Sequence, residues 1–238
     1  RRFQFIYLDE DLQLEETVEI PKTDGVLKDI VTVELLNYPD NTHLYSKGRE
    51  YASGTYVPRI YFLEIDKRDK SVRYEKLLLE SSRDDRLVKA FCHEDKFIRL
   101  YLNPIESTLK LIVFEEAKKV HVSTYSIEDK NLVKLIKKNL DLGIPTLSDD
   151  RISSMAVNTK LAKMYSFPNE VILSLENEDL GETHFFVINT QDWSIYEETY
   201  PLENFGIGEK SLSINSVIFD NYLYQTMANG QVVTINQI

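Results

Sequence analysis

The sequence predicts an all-β fold, and two observations predict it. The first is a set of short runs in which Tyr and Phe stand beside Ile and Val: Phe3–Leu8, Ile60–Ile65, Phe97–Leu102 and His184–Ile188. Aromatic and β-branched side chains suit a pleated, half-buried surface, and the Asp, Asn, Lys, Gly and Ser between the runs are turn formers. The second observation is an internal repeat. A strand, an acidic or amide turn and a charge-rich second strand recur at 5–21, 61–80, 122–140 and 185–202, with a truncated copy at 232–238. Leu8, Ile65, Ile127, Ile188 and Ile235 align, at spacings of 57, 62, 61 and 47 residues. A repeat of about 60 residues that holds several short strands reads as a β-propeller.

The other elements of each repeat follow from the segments between these pairs. Ile152–Asn158 and Val171–Leu175 precede the fourth pair, and Ser216–Asp220 and Leu223–Thr226 precede the fifth strand. Each reads as an inner strand and a second strand, which makes blades of four antiparallel strands. One such sheet cannot cover both of its faces; radial stacking does so. Residues 1–238 are therefore expected to form a single propeller domain or a portion of one, with blade seams near residues 22, 81, 141 and 203. The sequence begins and ends on the third strand of a blade, so the expected ring is partial or irregular. Residues 131–140 carry apolar side chains at 132, 133, 135, 136 and 140, a spacing compatible with a helix, but the repeat alignment makes them an outer strand.

Composition bounds the function. Lys plus Arg is 28 and Asp plus Glu is 39, a net charge of −11. Such a chain repels phosphate backbones, so nucleic acid is not an expected partner. The best apolar run, Leu109–Phe114, has six residues, includes Lys110 and is too short for a membrane helix. Cys92 is the single cysteine, which excludes an internal disulfide and any multi-cysteine zinc site; it sits in an apolar run and reads as a small buried hydrophobe.

No catalytic motif is present: neither HExxH, HxH or CxxC, nor a Gly-rich phosphate loop, nor a G-x-S-x-G elbow. His93-Glu94-Asp95 is the densest titratable cluster, but it falls between two apolar runs, where a hairpin turn belongs. His43, His121 and His184 stand alone. Most of the acidic pairs Glu15-Glu16, Asp84-Asp85, Glu115-Glu116, Asp149-Asp150 and Glu197-Glu198 fall in expected turns or on expected outer strands, where charge discourages edge pairing. No metal site and no cofactor are expected. Trp193 stands at a turn whose counterparts in the other repeats are charged.

One segment is unusual. Residues 38–59 hold four tyrosines with Lys47, Arg49 and Arg59, and few aliphatic residues. Tyr and Arg offer large contact area and directed hydrogen bonds. Tyr45, Arg49, Tyr51, Tyr56 and Arg59 are accordingly the expected partner-binding residues; the competing reading is a polar blade edge.

The phrases HFFVINTQDWSIYEETYP and NSVIFDNYLYQTMANGQVVTI resemble uncharacterised β-propeller proteins of Bacteroidetes cell envelopes, many of them lipoproteins. That resemblance implies a scaffold role in a cell-envelope assembly, with any lipid anchor outside these 238 residues. The propellers of large eukaryotic adaptor complexes are similar at this level and would imply the cytoplasm. The expected function is a non-enzymatic scaffold that binds a protein partner. The alternative is a carbohydrate-active or small-ligand propeller that uses channel carboxylates.

Overall fold

The computed structural model describes residues 3–8, 14–20, 27–52, 55–77, 82–140, 143–148, 161–202, 213–220, 222–228 and 233–237. Within them the chain is a succession of up-and-down antiparallel sheets. Strands β1 (Phe3–Leu8) and β2 (Leu14–Ile20) form a pair. Strands β3 (Leu27–Asn37), β4 (Asn41–Ala52), β5 (Thr55–Asp66) and β6 (Val72–Lys76) form a four-stranded sheet in chain order. Strands β7 (Arg86–His93), β8 (Lys96–Asn103), β9 (Thr108–Glu115) and β10 (Lys118–Ser126) form the next.

Helix α1 (Lys130–Leu140) follows, then a five-stranded sheet of β11 (Thr146–Ser148), β12 (Ala162–Phe167), β13 (Glu170–Asn177), β14 (Glu182–Asn189) and β15 (Ile195–Pro201). Strand β11 joins it in parallel, beside β12. The last sheet is β16 (Ser213–Phe219), β17 (Tyr222–Ala228) and β18 (Val233–Gln237). Consecutive four-stranded meanders of this kind are the blades of a β-propeller.

The chain divides into two compact units. The first comprises residues 1–82, 90–98 and 112–120, and the second residues 83–89, 99–111 and 121–238. In both, the middle strands are buried along nearly their whole length, as in β8, β9, β13 and β14, while the fourth strands β6, β10 and β15 are mostly exposed or half-buried. Middle strands covered on both faces read as continuous apolar runs, and that is why LIVF and FFVI stand out in the sequence.

The repeat is visible atom by atom in two turns. Asp66 and Asn189 end a third strand, and each side chain accepts a hydrogen bond from the amide two residues on, Arg68 at 2.7 Å and Gln191 at 2.8 Å. Asp69 and Asp192 accept from the amides of Ser71 and Ser194, at 2.8 and 2.9 Å. Lys70 and Trp193 occupy the same left-handed position, at φ 65° and 60°. The six-residue pattern [DN]-x-x-D-x-S thus builds one turn twice, because Asp and Asn side chains can bond their own backbone two residues ahead. Ser194 and Ser71 hold Asp192 and Asp69 below the usual carboxylate range. Trp193 is part of this turn, and its carbonyl accepts from the Ser123 hydroxyl at 2.8 Å.

The third copy differs from the sequence expectation. Residues 130–140 form a helix, not an outer strand. Asp129 caps it: its carboxylate accepts from the Asn131 amide at 2.7 Å, and its carbonyl from the Leu132 amide at 3.1 Å. Leu132, Val133 and Ile136 are buried on one face, while Lys137 and Lys138 stand in the last turn, where cations complement the helix dipole. The outer strand of that blade is β10, and Ile127 lies beyond its end. The strand matching β5 and β14 is β9, whose two-residue turn at Glu116-Ala117 lacks the six-residue signature. The expected inner strand at 152–158 lies outside the described residues; the strand that pairs with β13 is β12. Val233–Gln237 pairs with β17 as a third strand.

Candidate functional site

A cleft of about 770 Å³ opens in the second unit over one face of the five-stranded sheet. Pairing register explains what lines it. Ile172, Val187 and Tyr196 are opposite one another across β13, β14 and β15, and Phe185 is opposite Glu198. Alternation along each strand keeps Tyr196, Glu198 and Tyr200 on this face and sends Glu197 to the other. The hairpin turn Pro168-Asn169 carries Phe167 and Glu170, its flanking pair, to one end of the cleft. Ile218, Tyr222 and Leu223 close it from the last sheet.

The polar groups here are two carboxylates with phenols. The Tyr200 hydroxyl donates to Glu198 Oε2 at 2.6 Å, and that bond, followed by burial, pushes the phenol up to about 12. Burial, with the Glu198 charge second, raises Glu170 above the usual carboxylate range. Tyr196 and Tyr222 line the cleft and are 42% and 46% exposed. Phe185 packs against Tyr200 at 5.2 Å between ring centres, which holds the Tyr200–Glu198 pair in place. A cavity of this size, lined by aliphatic and aromatic side chains with a few convergent polar groups, has the form of a small-molecule site. Glu170, whose carboxyl is raised by burial, can donate as well as accept a hydrogen bond, and Glu198 Oε2 accepts one from Tyr200.

Further along the same face lies a buried polar network. Lys163 (0% exposed) sits 3.6 Å from Glu176 (1% exposed) and also donates to Asn215 Oδ1 and to the Ser216 carbonyl. Glu176 accepts from the Ser216 amide at 2.9 Å, from the Ser216 hydroxyl and from the Thr183 hydroxyl at 2.9 Å. Gln225 Nε2 donates to Thr183 Oγ1 at 3.0 Å and to the Tyr200 carbonyl at 3.1 Å. Burial lowers the Lys163 pKa, and Glu176 counters it. The network ties β12, β13 and β14 to β16 and β17. It is sealed from solvent and has a structural role.

The residues expected to bind a partner lie on the β4–β5 hairpin of the first unit. Tyr45 is fully buried, stacked on Phe97 with ring centres 4.1 Å apart, and its hydroxyl donates to the Glu116 carbonyl at 3.2 Å. Burial holds that phenol protonated. Tyr45 is a core residue. Tyr51 is 56% exposed and is paired in register with Tyr56, and Arg59 is half-buried opposite Gly48. Arg49 pairs with Pro58; the side chains of Arg49 and Tyr56 are outside the described residues.

The remaining sequence candidates separate. His93 ends β7 and Glu94-Asp95 form the hairpin turn to β8, with Glu94 at φ 50°. Cys92 is half-buried, and burial pushes its thiol up to about 12, which leaves it unreactive as a nucleophile. His43 is buried between Tyr38 and Phe62, with ring centres 4.8 and 5.0 Å away. His184 takes part in a hydrogen bond with the Thr199 hydroxyl at 3.1 Å. Of the described acidic-pair residues, Glu198 lines the cleft; its companion there, Glu170, carries no sequence signal beyond its place after the turn-forming Pro168-Asn169. No group of three His, Cys, Asp or Glu side chains among the described residues could hold a metal ion. No described helix is long and apolar enough to cross a membrane.

No protein-family model matches the chain, and no curated protein matches it. Among solved structures it is similar to the β-propeller domain of the Trilobed protease from Pyrococcus furiosus, at 7% identity and a TM-score of 0.35, over 89% of this chain and 57% of that one. It is similar to the acylaminoacyl peptidase of Pyrococcus horikoshii, at 12% identity and a TM-score of 0.35, over 90% of this chain and 34% of the peptidase. It is also similar to a GH43 enzyme from Xanthomonas citri, at 9% identity and a TM-score of 0.31, over 92% and 89% of the two chains. The chain thus spans between a third and about three fifths of the two peptidase-related structures.

Proposed function

We propose that this chain binds a carbohydrate or a comparably hydroxylated ring compound in the cleft of the second unit. The observation that supports this reading is the meeting of exposed Tyr196 and Tyr222 with the carboxyl groups of Glu170 and Glu198 in one cavity of about 770 Å³. Aromatic faces pack on the apolar faces of sugar rings, and carboxyl oxygens accept from ring hydroxyls. Titration calorimetry with soluble xylo-, cello- and laminari-oligosaccharides tests it. At least one series should bind, and Glu198→Gln or Tyr196→Ala should weaken that binding about tenfold, the loss of roughly 1.4 kcal/mol that one charged hydrogen bond or stacked ring supplies. Binding unchanged in both variants, or no binding by any series, overturns the reading.

Glu170 adds a pH test. Its folded-state pKa is raised, so the folded protein keeps the proton longer than the unfolded chain. Stability is therefore lost as pH rises from the ordinary value of 4.5 through the raised one. Glu170→Gln removes that loss, so the variant should gain stability relative to the parent above that pH and not below it.

A second reading, a scaffold that binds a protein partner, is favoured by one observation. Strands β4 and β5 are 12 residues each, whereas β6 is five, so the hairpin end with Tyr51 runs past β6. On this reading Tyr51, Tyr56, Arg49 and Arg59 contact the partner. Tyr51→Ala should then lower recovery of a co-purifying protein while the unfolding free energy changes by less than about 0.5 kcal/mol. Recovery of the parent protein always as a free monomer would remove this reading.

A further inference from the structure

Two cationic side chains are buried among the described residues, Lys163 and Arg99. Lys163 is met by Glu176, Asn215 and Ser216. Arg99 is met by nothing comparable. It lies on β8 in the second unit, 7% exposed, and its guanidinium carbon stands 5.0 Å from the centre of the Tyr101 ring. Its Nε and Nη1 are buried and donate no hydrogen bond, and no carboxylate among the described residues is within ion-pair distance. Burial lowers the Arg99 pKa, and Tyr101 is the group acting in the opposite sense. A guanidinium nevertheless stays protonated at any physiological pH, so it cannot relieve this by losing its proton.

An uncompensated buried charge is strongly destabilising, and folded proteins satisfy buried donors almost without exception. Here the guanidinium carbon lies over the Tyr101 ring, and the N–H groups of Nε and Nη1 are left without an acceptor. That is the geometry in which arginine takes planar or tetrahedral oxyanions. We propose that Arg99 anchors an oxyanion site in the second unit, occupied by a carboxylate or phosphate group of a ligand.

The experiment compares the full chain in sodium chloride, sodium phosphate and sodium acetate at pH 7 and matched ionic strength, following urea unfolding. Phosphate or acetate should raise the midpoint saturably over chloride, as binding to the native state requires; the arm that does so identifies the oxyanion. Arg99→Met should abolish the anion-specific rise and be at least as stable as the parent in chloride, because an unmet charge has been removed. Arg99→Lys, which keeps the charge but loses the planar fork, should raise the anion's dissociation constant tenfold or more. An equal anion response in parent and Arg99→Met overturns the proposal. So does a large loss of stability of Arg99→Met in chloride. Should Arg99→Met not fold, calorimetric titration of the parent with phosphate and with acetate decides, and the absence of saturable heat in both overturns it.

Discussion

Replacing Lys163 with Met should lower the unfolding free energy by about 3–5 kcal/mol, while changing Lys163 and Glu176 together to Met and Leu should restore most of it. The single change leaves Glu176 charged at 1% exposure and leaves Asn215 and the Ser216 carbonyl without their donor. The double change removes both charges and fills the space with apolar atoms. The Ser216 hydroxyl and amide and the Thr183 hydroxyl then lose an acceptor, which is why recovery is expected to be incomplete. Urea denaturation of the three proteins checks this. A single variant within about 1 kcal/mol of the parent would mean that the network tolerates an unpaired carboxylate and does not hold the two sheets together. Because Gln225 of this network bonds the Tyr200 carbonyl, the single variant should also disturb the cleft beside it.

Tyr45→Ala should cost about 3–5 kcal/mol, the usual loss for emptying a buried aromatic site. The ring is fully buried, stacked on Phe97 and within 5.4 Å of Phe62, so its removal leaves a cavity among rigid rings. Tyr45→Phe keeps the ring and loses one hydrogen bond to the Glu116 carbonyl, about 1 kcal/mol. Differential scanning calorimetry of the two variants separates the terms. A Tyr45→Ala protein that melts with the parent would return Tyr45 to the surface and to the group of partner-binding candidates.

The all-β class was readable because central strands buried on both faces must be apolar and short, whatever they pack against. The hairpin turns at Asp66–Ser71 and Asn189–Ser194 were readable for a related reason. Each is closed by side chains bonding amides two residues away, so six consecutive residues contain all the chemistry of the turn. The helix at Lys130–Leu140 was encoded just as locally, in the Asp129 cap and in the apolar spacing of Leu132, Val133 and Ile136. The repeat alignment makes it a strand only by running through a blade whose turn between its last two strands has two residues and no signature.

Other features had no local mark. Tyr45 and Tyr51 sit six residues apart in the same strand and the same polar segment, yet one is buried and the other exposed, because only Tyr45 meets Phe97 and Glu116. Nothing near Glu198 in the chain announces Glu170, which reaches the same cleft through the registers of β13, β14 and β15. Lys163 and Arg99 look alike in sequence, each a cation flanked by apolar residues in a strand. Tertiary structure surrounds one with three polar partners and leaves the other against a tyrosine ring. Propensity, capping and Asx turns act over a few residues, so the chain by itself determined them. Burial and pairing are set by which distant strands come to share a face, and that only the packed sheets decided.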